Sequence, residues 1–454
     1  MTTTAANHAA CAPAPLLSVL LSGERFWPME PESLRDTGLS EPFLEALIGK
    51  SLHVQGSSSG RAIASALCLP NRILDPLLDR LKAQRLLAHA GSGPLNDYIY
   101  SLTEEGRRRA QTWLSECAYV GPAPVPLMDY VISVEAQTVA DERIRRPDLV
   151  SAFHDISVDI GLLDVLGPAV NSGGGIFLYG APGNGKSTLA SRITTCFSQE
   201  IWLPHALIEG REIVKVYDPA YHRSIHGGQA ASEFPHPYDH RWLRIRRPTV
   251  VVGGELTMES LDIRHDAVSH VSEAPLQLKS NCGCLLIDDF GRQRISPQEL
   301  LNRWIIPLEN RRDFLSLSSG KKIEVPFEQV IIFSTNLDPA DLVDEAFLRR
   351  IRYRIEVTDP TEDEFRYLFQ LAANQAGCEY NVRAVEHLLD KHYRPQNRPL
   401  RRCHPRDLLQ QIRHYCDYHD LPLELRGEYF DRVVHTFFTS PRINRAHARC
   451  ESPR

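Results

Sequence analysis

Apolar residues along this 454-residue chain recur with two different periods, and the changes between them divide it into regions. Residues 42–53 place Phe43, Leu44, Leu47 and Ile48 on one helical side. Gly60–Leu67 reads as a second short helix, stopped at Leu69-Pro70, and 73–87 as a third, carrying Ile73, Leu77, Leu78, Leu81 and Leu86. A short strand around 87–89, a glycine turn at 91–93 and a second strand at Tyr98–Leu102 follow, and Thr103 then caps a helix over 103–113. Gly121-Pro122-Ala123-Pro124-Val125-Pro126 is a stiff break. From 127 to 358, strand-like runs alternate with helical segments, which predicts an α/β fold with a parallel sheet. Beyond Pro360 the period is helical, with candidate helices at 362–376, 382–392, 406–418 and 426–438. The expected divisions are an extension (1–39), a small helical module with a hairpin (40–117), a Pro-rich linker (118–126), the α/β core (127–358), a helical lid (359–440) and a polar tail (441–454).

Composition narrows this picture only slightly. A chain this long is expected to hold two or three domains, and its 43% hydrophobic and 24% charged residues are those of a globular protein. The net charge of −6 argues against coating nucleic acid by bulk electrostatics. No apolar run approaches a membrane span, and no basic residue precedes the short apolar run at 16–21, so neither membrane insertion nor a secretory signal is expected. The ten cysteines lack metal-ligand spacing; read as reduced thiols, they place the chain in a cytoplasm. Cys284 lies inside an apolar strand, and Cys282 beside it is read with it as a packing residue.

The chemistry concentrates at the ends of three apolar strands. Ile176-Phe177-Leu178-Tyr179 runs directly into Gly180-Ala181-Pro182-Gly183-Asn184-Gly185-Lys186-Ser187, a complete G-x-x-x-x-G-K-S loop, and Thr188 onward continues as a helix. Glycines let the backbone wrap around phosphate so that successive N–H groups point inward. Lys186 would reach the β- and γ-phosphates, and the Ser187 hydroxyl would ligate Mg²⁺. A second strand, Cys284–Ile287, ends in Asp288-Asp289: Asp288 is the candidate Mg²⁺ ligand and Asp289 the group that orients and deprotonates an attacking water. A third, from Val330, ends in Thr335-Asn336, where the amide would hold that water. The string Thr335-Asn336-Leu337-Asp338 lacks the lysine of a guanine signature, which favours ATP.

These residues resemble the AAA+ ATPase superfamily over about 130 to 440. The match has Walker A at 180–187, Walker B at 284–289 and sensor 1 at Asn336. The resemblance implies further roles. Asp344-Glu345-Ala346-Phe347-Leu348-Arg349-Arg350-Ile351 is similar to the segment carrying an arginine finger, with Arg350 preferred to Arg349. His404-Pro405-Arg406-Asp407-Leu408-Leu409 is similar to sensor 2, which would place Arg406 at a helix start facing nucleotide. A finger acting on a neighbour implies head-to-tail packing, hence a homo-oligomer, expected to be a hexamer. Asp289 departs from the usual second acid, Glu, which implies slow turnover. Ile287-Asp288-Asp289-Phe290-Gly291 resembles the DnaC/IstB branch, whereas the hairpin expected at 316–326 resembles the pre-sensor-1 hairpin of MoxR-like ATPases; the second likeness is preferred.

Two regions carry less specific signals. The stretch 201–277 between the Walker motifs holds His205, His222, His226, His236 and His240; the pairs 222/226 and 236/240 have helical spacing, but Pro235 and Pro237 break a helix around the second and no cysteine pairs join them. Tyr221, Phe234, Tyr238 and Trp242 there are read either as groups gripping a client or as packing residues. Residues 40–117 resemble a MarR-type winged helix-turn-helix, on Tyr100-Ser101-Leu102-Thr103-Glu104-Glu105-Gly106-Arg107. That likeness implies DNA binding through residues 71–102 or docking of a protein partner. Residues 1–120 hold eleven Lys and Arg against twelve Asp and Glu, a balance of −1, which restrains the first option. The activity expected is therefore ATP hydrolysis by a ring that remodels a protein client, with a DNA-associated ATPase as the alternative.

Overall fold

The computed structural model describes residues 25–438 apart from 93–96, 155, 157, 198–199, 226–236 and 344. The α/β core is built on a parallel sheet of five strands, in the spatial order Thr249–Val252, Cys284–Ile287, Val330–Thr335, Gly175–Tyr179 and Tyr353–Glu356. Strand alternation divides the side chains between two faces. Ile176, Leu178, Cys284, Leu286, Val330 and Ile332 pack beneath the helices Ile160–Asn171 and Lys186–Arg192. Phe177, Leu285, Ile287, Ile331 and Phe333 pack on the other face with Leu300, Leu301 and Trp304 of Pro297–Asn310. Burial on both faces explains why these strands read as continuous apolar runs rather than alternating ones.

The sheet's strand order positions the site. The phosphate-loop strand and the strand ending at Asp288 are not neighbours, because Val330–Thr335 lies hydrogen-bonded between them. All three end on the same edge, where ligands of open parallel sheets bind.

Residues 201–277 form a second body. Arg264–Asp266, Val271–Glu273, Glu212–Lys215, Ala206–Glu209 and Val125–Pro126 make another five-stranded sheet, and Ile201–Pro204 pairs with Trp242–Ile245. The hairpin anticipated before Asn336 pairs Arg312–Ser316 with Lys322–Pro326. Its Leu315, Leu317, Ile323 and Val325 share a core with Leu127, Tyr130, Leu207 and Val214. At its tip, the Ser318 backbone N–H and hydroxyl both donate to Glu212, and Lys321 pairs with Glu209.

The stretch expected to act as a linker is part of this body. Val125-Pro126 is a strand of the second sheet, and Tyr119 and Ala123 are buried. Arg241, paired with Asp239 at 2.7 Å and almost fully buried, donates to the carbonyls of Thr37 and Pro124. One guanidinium thus ties the chain before residue 40, the Pro-rich stretch and the 201–277 body. Trp27 joins Trp202 and Trp242 in a small aromatic core, so the described part of the region expected to be an extension is packed too. Among the grip candidates, Trp242 is buried there with Tyr238 beside it, Tyr221 lies against the Lys279 ammonium, and Phe234 falls outside the described residues.

In residues 41–116 the helices Glu41–Gln55, Gly60–Leu67 and Asn71–Ala83 surround a three-stranded antiparallel sheet. Ser57–Ser59 adds a strand that no periodicity announces, paired with Tyr98–Leu102, which in turn pairs with Leu87–Ser92. The third helix ends at Ala83 rather than 87, since Arg85 turns left-handed with φ 61°. The Thr103 hydroxyl accepts from the Gly106 N–H at 3.0 Å, as a capping threonine should.

The helical region beyond 360 contains Glu362–Ala376, Val382–Leu388, His404–Tyr418 and Gly427–Phe437 around one core. The second helix, expected to run to 392, changes at Leu389–Tyr393 into a π-helical turn. None of the described helices is long and apolar enough to cross a membrane.

Phe333 is fully buried at the junction of Phe177, Phe290 and Trp304 on the middle strand. Phe333→Ala is expected to destabilise the core by about 3–5 kcal/mol, read as a lowered midpoint in denaturant unfolding; an unchanged midpoint would contradict this packing.

Candidate functional site

The loop after Gly175–Tyr179 takes backbone conformations that side chains resist. Gly180 has φ 133°, and a Cβ there would stand 2.6 Å from the Val357 carbonyl oxygen. Gly183 has φ 84°, and a Cβ would meet the Cys403 sulfur at 2.6 Å. The loop is thereby wedged between the last strand and the helical region. Helix Lys186–Arg192 follows and continues as the 3-10 turn Ile193–Cys196.

Lys186 points back across the loop. Its ammonium donates to the carbonyls of Gly180 at 2.9 Å and Ala181 at 3.0 Å, and to Asn336 Oδ1 at 2.6 Å. Burial pushes its pKa below the usual lysine value, while Asp288 and Asp289 push it back up. The Ser187 hydroxyl lies 2.8 and 2.7 Å from the two Asp288 carboxylate oxygens. The amide of Asn336 donates to Asp289 Oδ1 at 3.3 Å, so one side chain touches both Lys186 and Asp289.

Asp288 and Asp289 sit at a sharp turn. The strand ends as the Asp288 N–H donates to Val252, and Asp289 is left-handed with φ 50°. Gln293 braces the turn: its amide donates to the Asp288 carbonyl at 2.7 Å, and its oxygen accepts from the Gly291 N–H. Asp289 is solvent-exposed. Asp is among the few non-glycine residues that tolerate this backbone region.

The helical region meets the loop through contacts the sequence did not announce. The buried Asn184 donates to Asp359 Oδ1 at 2.7 Å and to the Val357 carbonyl. Asp359 also pairs with Arg401, and the Cys403 N–H donates to the Gly183 carbonyl at 2.9 Å. Asn184 thus links the loop to the segment that leads into the helical region.

Together these segments enclose a cleft of about 620 Å³. Its polar lining comes from the loop around Lys186 and Ser187 and from Asp288, Asp289 and Asn336. Its apolar lining comes from Ile156, Val158 and Leu162 and from Leu368, Leu371 and Ala372 of the helical region. Arg406 lines the cleft, although its side chain is 74% exposed and paired with Asp407. Arg292 and Arg402 line it as well and were not singled out from the sequence; the only signal for Arg402 is its place just before the His404-Pro405 helix start.

Arg349 and Arg350 are elsewhere. They border a separate cavity near the start of the phosphate-loop strand, with Ser172, Gly174, Arg311 and Arg352. Arg350 pairs with Glu309 at 2.7 Å, and Arg349 with Glu345 at 3.2 Å. Neither reaches the cleft of its own chain.

Of the first histidine pair considered for metal, only His222 is described, and both its ring nitrogens are engaged within the fold. His222 is buried, with Nδ1 accepting from the Asp218 N–H and Nε2 at 2.8 Å from the Lys279 carbonyl. His226 and His236 lie outside the described residues. Cys282 and Cys284 are free, buried thiols, and burial raises the pKa of each.

Comparison with known proteins adds little to this geometry. A family described as a domain of unknown function, DUF8689, matches residues 361–436, the helical region. No curated protein matches. Among solved structures, NtrX from Brucella abortus is 14% identical with a TM-score of 0.38, over 60% of this chain and 54% of that one. The chain thus spans about half the length of NtrX. RuvB from Thermotoga maritima, in a point-mutant form, is 12% identical at a TM-score of 0.37, over 62% and 69% of the two chains. A complex of the magnesium chelatase subunits BchI and BchD gives 17% identity and a TM-score of 0.32, over 62% and 93%. Likenesses this distant carry no conclusion about function, which rests on the cleft itself.

His404 begins the helix against the loop, with its Nδ1 2.9 Å from the Tyr393 hydroxyl. Burial lowers its pKa from 6.5 to about 4, and burial does the same to His205. The unfolded chain therefore takes up protons that the fold refuses. The stability these two neutral imidazoles allow is full above pH 6.5 and is lost progressively as pH falls towards 4. Denaturant midpoints are expected to drop across that window, and His404→Gln to flatten part of the drop; an unaltered pH profile would contradict the assignment.

Proposed function

We propose that the chain is an ATPase of the AAA+ type, binding Mg²⁺-ATP in this cleft and hydrolysing it within an oligomeric ring. The observation that carries the reading is the convergence of Lys186, Ser187, Asp288, Asp289 and Asn336, from three separated segments, on one edge of a parallel sheet. The apolar lining of the cleft suits a purine, and the loop with Lys186 suits the polyphosphate. The hydroxyl of Ser187 and the carboxylate of Asp288 form a hard oxygen donor set of the kind Mg²⁺ prefers, and they would hold it. Bound there, the metal would neutralise charge on the phosphates.

In this reading Lys186 exchanges its contacts with Gly180, Ala181 and Asn336 for phosphate oxygens. Asn336, released from the ammonium, orients a water together with Asp289, which accepts its proton. Because the Asp289 carboxylate is one methylene shorter than a glutamate, turnover is slow. Arg406, with Asp407 as its resting partner, would turn into the cleft. Arg350, or failing it Arg349, would complete the site of a neighbouring subunit, since neither reaches its own; a closed ring, taken as a hexamer, follows from head-to-tail contacts. The Asn184–Asp359–Arg401 contact couples the loop to the helical lid, so that lid motion follows the nucleotide.

Residues 40–117 are proposed as a winged helix that recruits a protein client for remodelling. Charge on the third helix supports docking of protein over DNA. Arg80 is engaged by Glu41 and Glu45, and Arg72 by Glu30. Burial, and after it the nearby Asp79 and Asp97 carboxylates, raise the pKa of Asp75. A surface that lays carboxylates along its reading helix repels phosphate. The hairpin at 312–326, held to Glu209 and Glu212, is proposed to move with the 201–277 body as a single client-facing unit.

Steady-state ATP hydrolysis at several protein concentrations tests this. Activity per chain is expected to rise with concentration, Lys186→Ala and Arg350→Ala to lose at least tenfold, and duplex DNA to leave the rate unchanged. Concentration-independent turnover with full activity in Arg350→Ala would overturn the shared site, and stimulation by DNA would overturn protein docking.

A further inference from the structure

The helical region holds a second cluster of chemistry-bearing side chains that takes no part in the nucleotide cleft. His387, His392 and Asp431 present ligand atoms that all lie within 4.8 Å of one another. We propose that these three residues bind a divalent transition metal of the zinc class, clipping the π-helical segment to the helix Gly427–Phe437.

Local backbone geometry makes the cluster. In a regular α-helix, residues five apart point about 140° away from each other. The π-helical turn Leu389–Tyr393, with its i→i+5 hydrogen-bond pattern, widens the helix where His392 sits and brings residues five apart closer to one face. Both imidazoles accordingly reach the same acceptor: His387 Nε2 is 3.1 Å and His392 Nε2 2.5 Å from Asp431 Oδ1. Such turns interrupt helices at a cost, and they concentrate at functional sites.

The partner helix accommodates this arrangement. Gly427 opens it, and a Cβ on that residue would stand 2.8 Å from His387 Cδ2 and 3.2 Å from Nε2. The absent side chain therefore lets the ring approach the helix backbone. On the far side of Asp431, Lys391 Nζ holds Oδ2 at 2.7 Å. The carboxylate thus turns one oxygen to the imidazoles and keeps the other on a lysine, the type of outer contact that fixes a ligating carboxylate.

Two imidazoles and one carboxylate suit zinc and leave a fourth position for water. Metal–ligand bonds of about 2.0 Å place tetrahedral donors about 3.3 Å apart. The His387–Asp431 contact of 3.1 Å already matches, the shorter His392 contact needs to open by under an ångström, and the two imidazole nitrogens, within 4.8 Å of one another, need to draw together around the ion. His392 is nearly buried while His387 is 39% exposed, so the open position faces solvent and the ion has a way in. Coordination replaces two N–H···O bonds by two metal–nitrogen bonds, and any N–H proton lost goes to water. Bonds from an ion to both segments would add to the Lys391–Asp431 pair and stiffen this half of the lid.

The test uses the full-length, untagged protein, stripped with chelator, reduced with a phosphine and saturated with Mg²⁺. Zn²⁺ affinity is measured by competition with a chromophoric chelator, Co²⁺ binding by its visible d–d spectrum, and thermal midpoints with and without Zn²⁺. The expected result is one tight Zn²⁺ per chain and a raised midpoint. His387→Asn and Asp431→Asn should each weaken binding at least tenfold and remove the Co²⁺ bands. His387→Asn, the more exposed ligand, is the variant expected to keep its fold, checked by its metal-free midpoint and by nucleotide binding. The proposal is overturned if wild type takes up no Zn²⁺, or if a folded His387→Asn keeps wild-type affinity and spectrum; the cluster is then an ion-pair network alone.

Discussion

Strand Val330–Thr335 is buried along its whole length and hydrogen-bonded on both edges, between the phosphate-loop strand and the strand that ends at Asp288. Everything at the cleft depends on this placement. It puts Asn336 midway between two segments about 100 residues apart, so that one amide accepts from Lys186 and donates to Asp289. A buried ammonium has to be met by oxygen atoms, and Lys186 finds three: two carbonyls of its own loop and Asn336. Beside it the exposed Ser187 hydroxyl bonds to Asp288. These contacts are those a polyphosphate and its metal would replace, which makes the resting cleft self-satisfied and ready for exchange.

The remaining bodies are attached to this frame through buried polar groups rather than free tethers. Arg241 anchors the Pro-rich stretch to the 201–277 body, and Arg247, against Glu142 and the carbonyls of Gln137 and Cys282, anchors the segment after residue 137. Removing one partner of such a buried pair leaves an uncompensated charge, so these joints resist bending. The loop and the helical region meet through polar contacts as well, where Asn184, Asp359 and Arg401 come together.

What the sequence made legible follows from how local each signal is. The glycine-rich loop, the apolar strands and the capping threonine at 103 are set by neighbours in the chain, and they appear where periodicity and residue type place them. Long-range contacts were hidden. Nothing local tells that Asp359 would meet Asn184, or that Val125-Pro126, which reads as a break, pairs with Leu207 and Ile208. The end of the helix at Ala83 turned on a left-handed Arg85, for which sequence gives no warning. The π-helical turn at 389–393 was likewise invisible, since its apolar spacing suits an α-helix equally well. Charge was half legible: a balanced composition restrained the DNA reading, but only the structure pairs Arg72 and Arg80 with their own chain.

Equilibrium binding of ATP, with and without Mg²⁺, needs no partner, client or ring and reports on the cleft alone. One nucleotide per chain is expected in wild type, tightened by Mg²⁺, with loss of binding in Lys186→Ala and an affinity in Ser187→Ala that no longer responds to the metal. Nucleotide binding that persists unchanged in Lys186→Ala, or a wild-type protein that binds none, would contradict the assignment of the cleft to nucleotide.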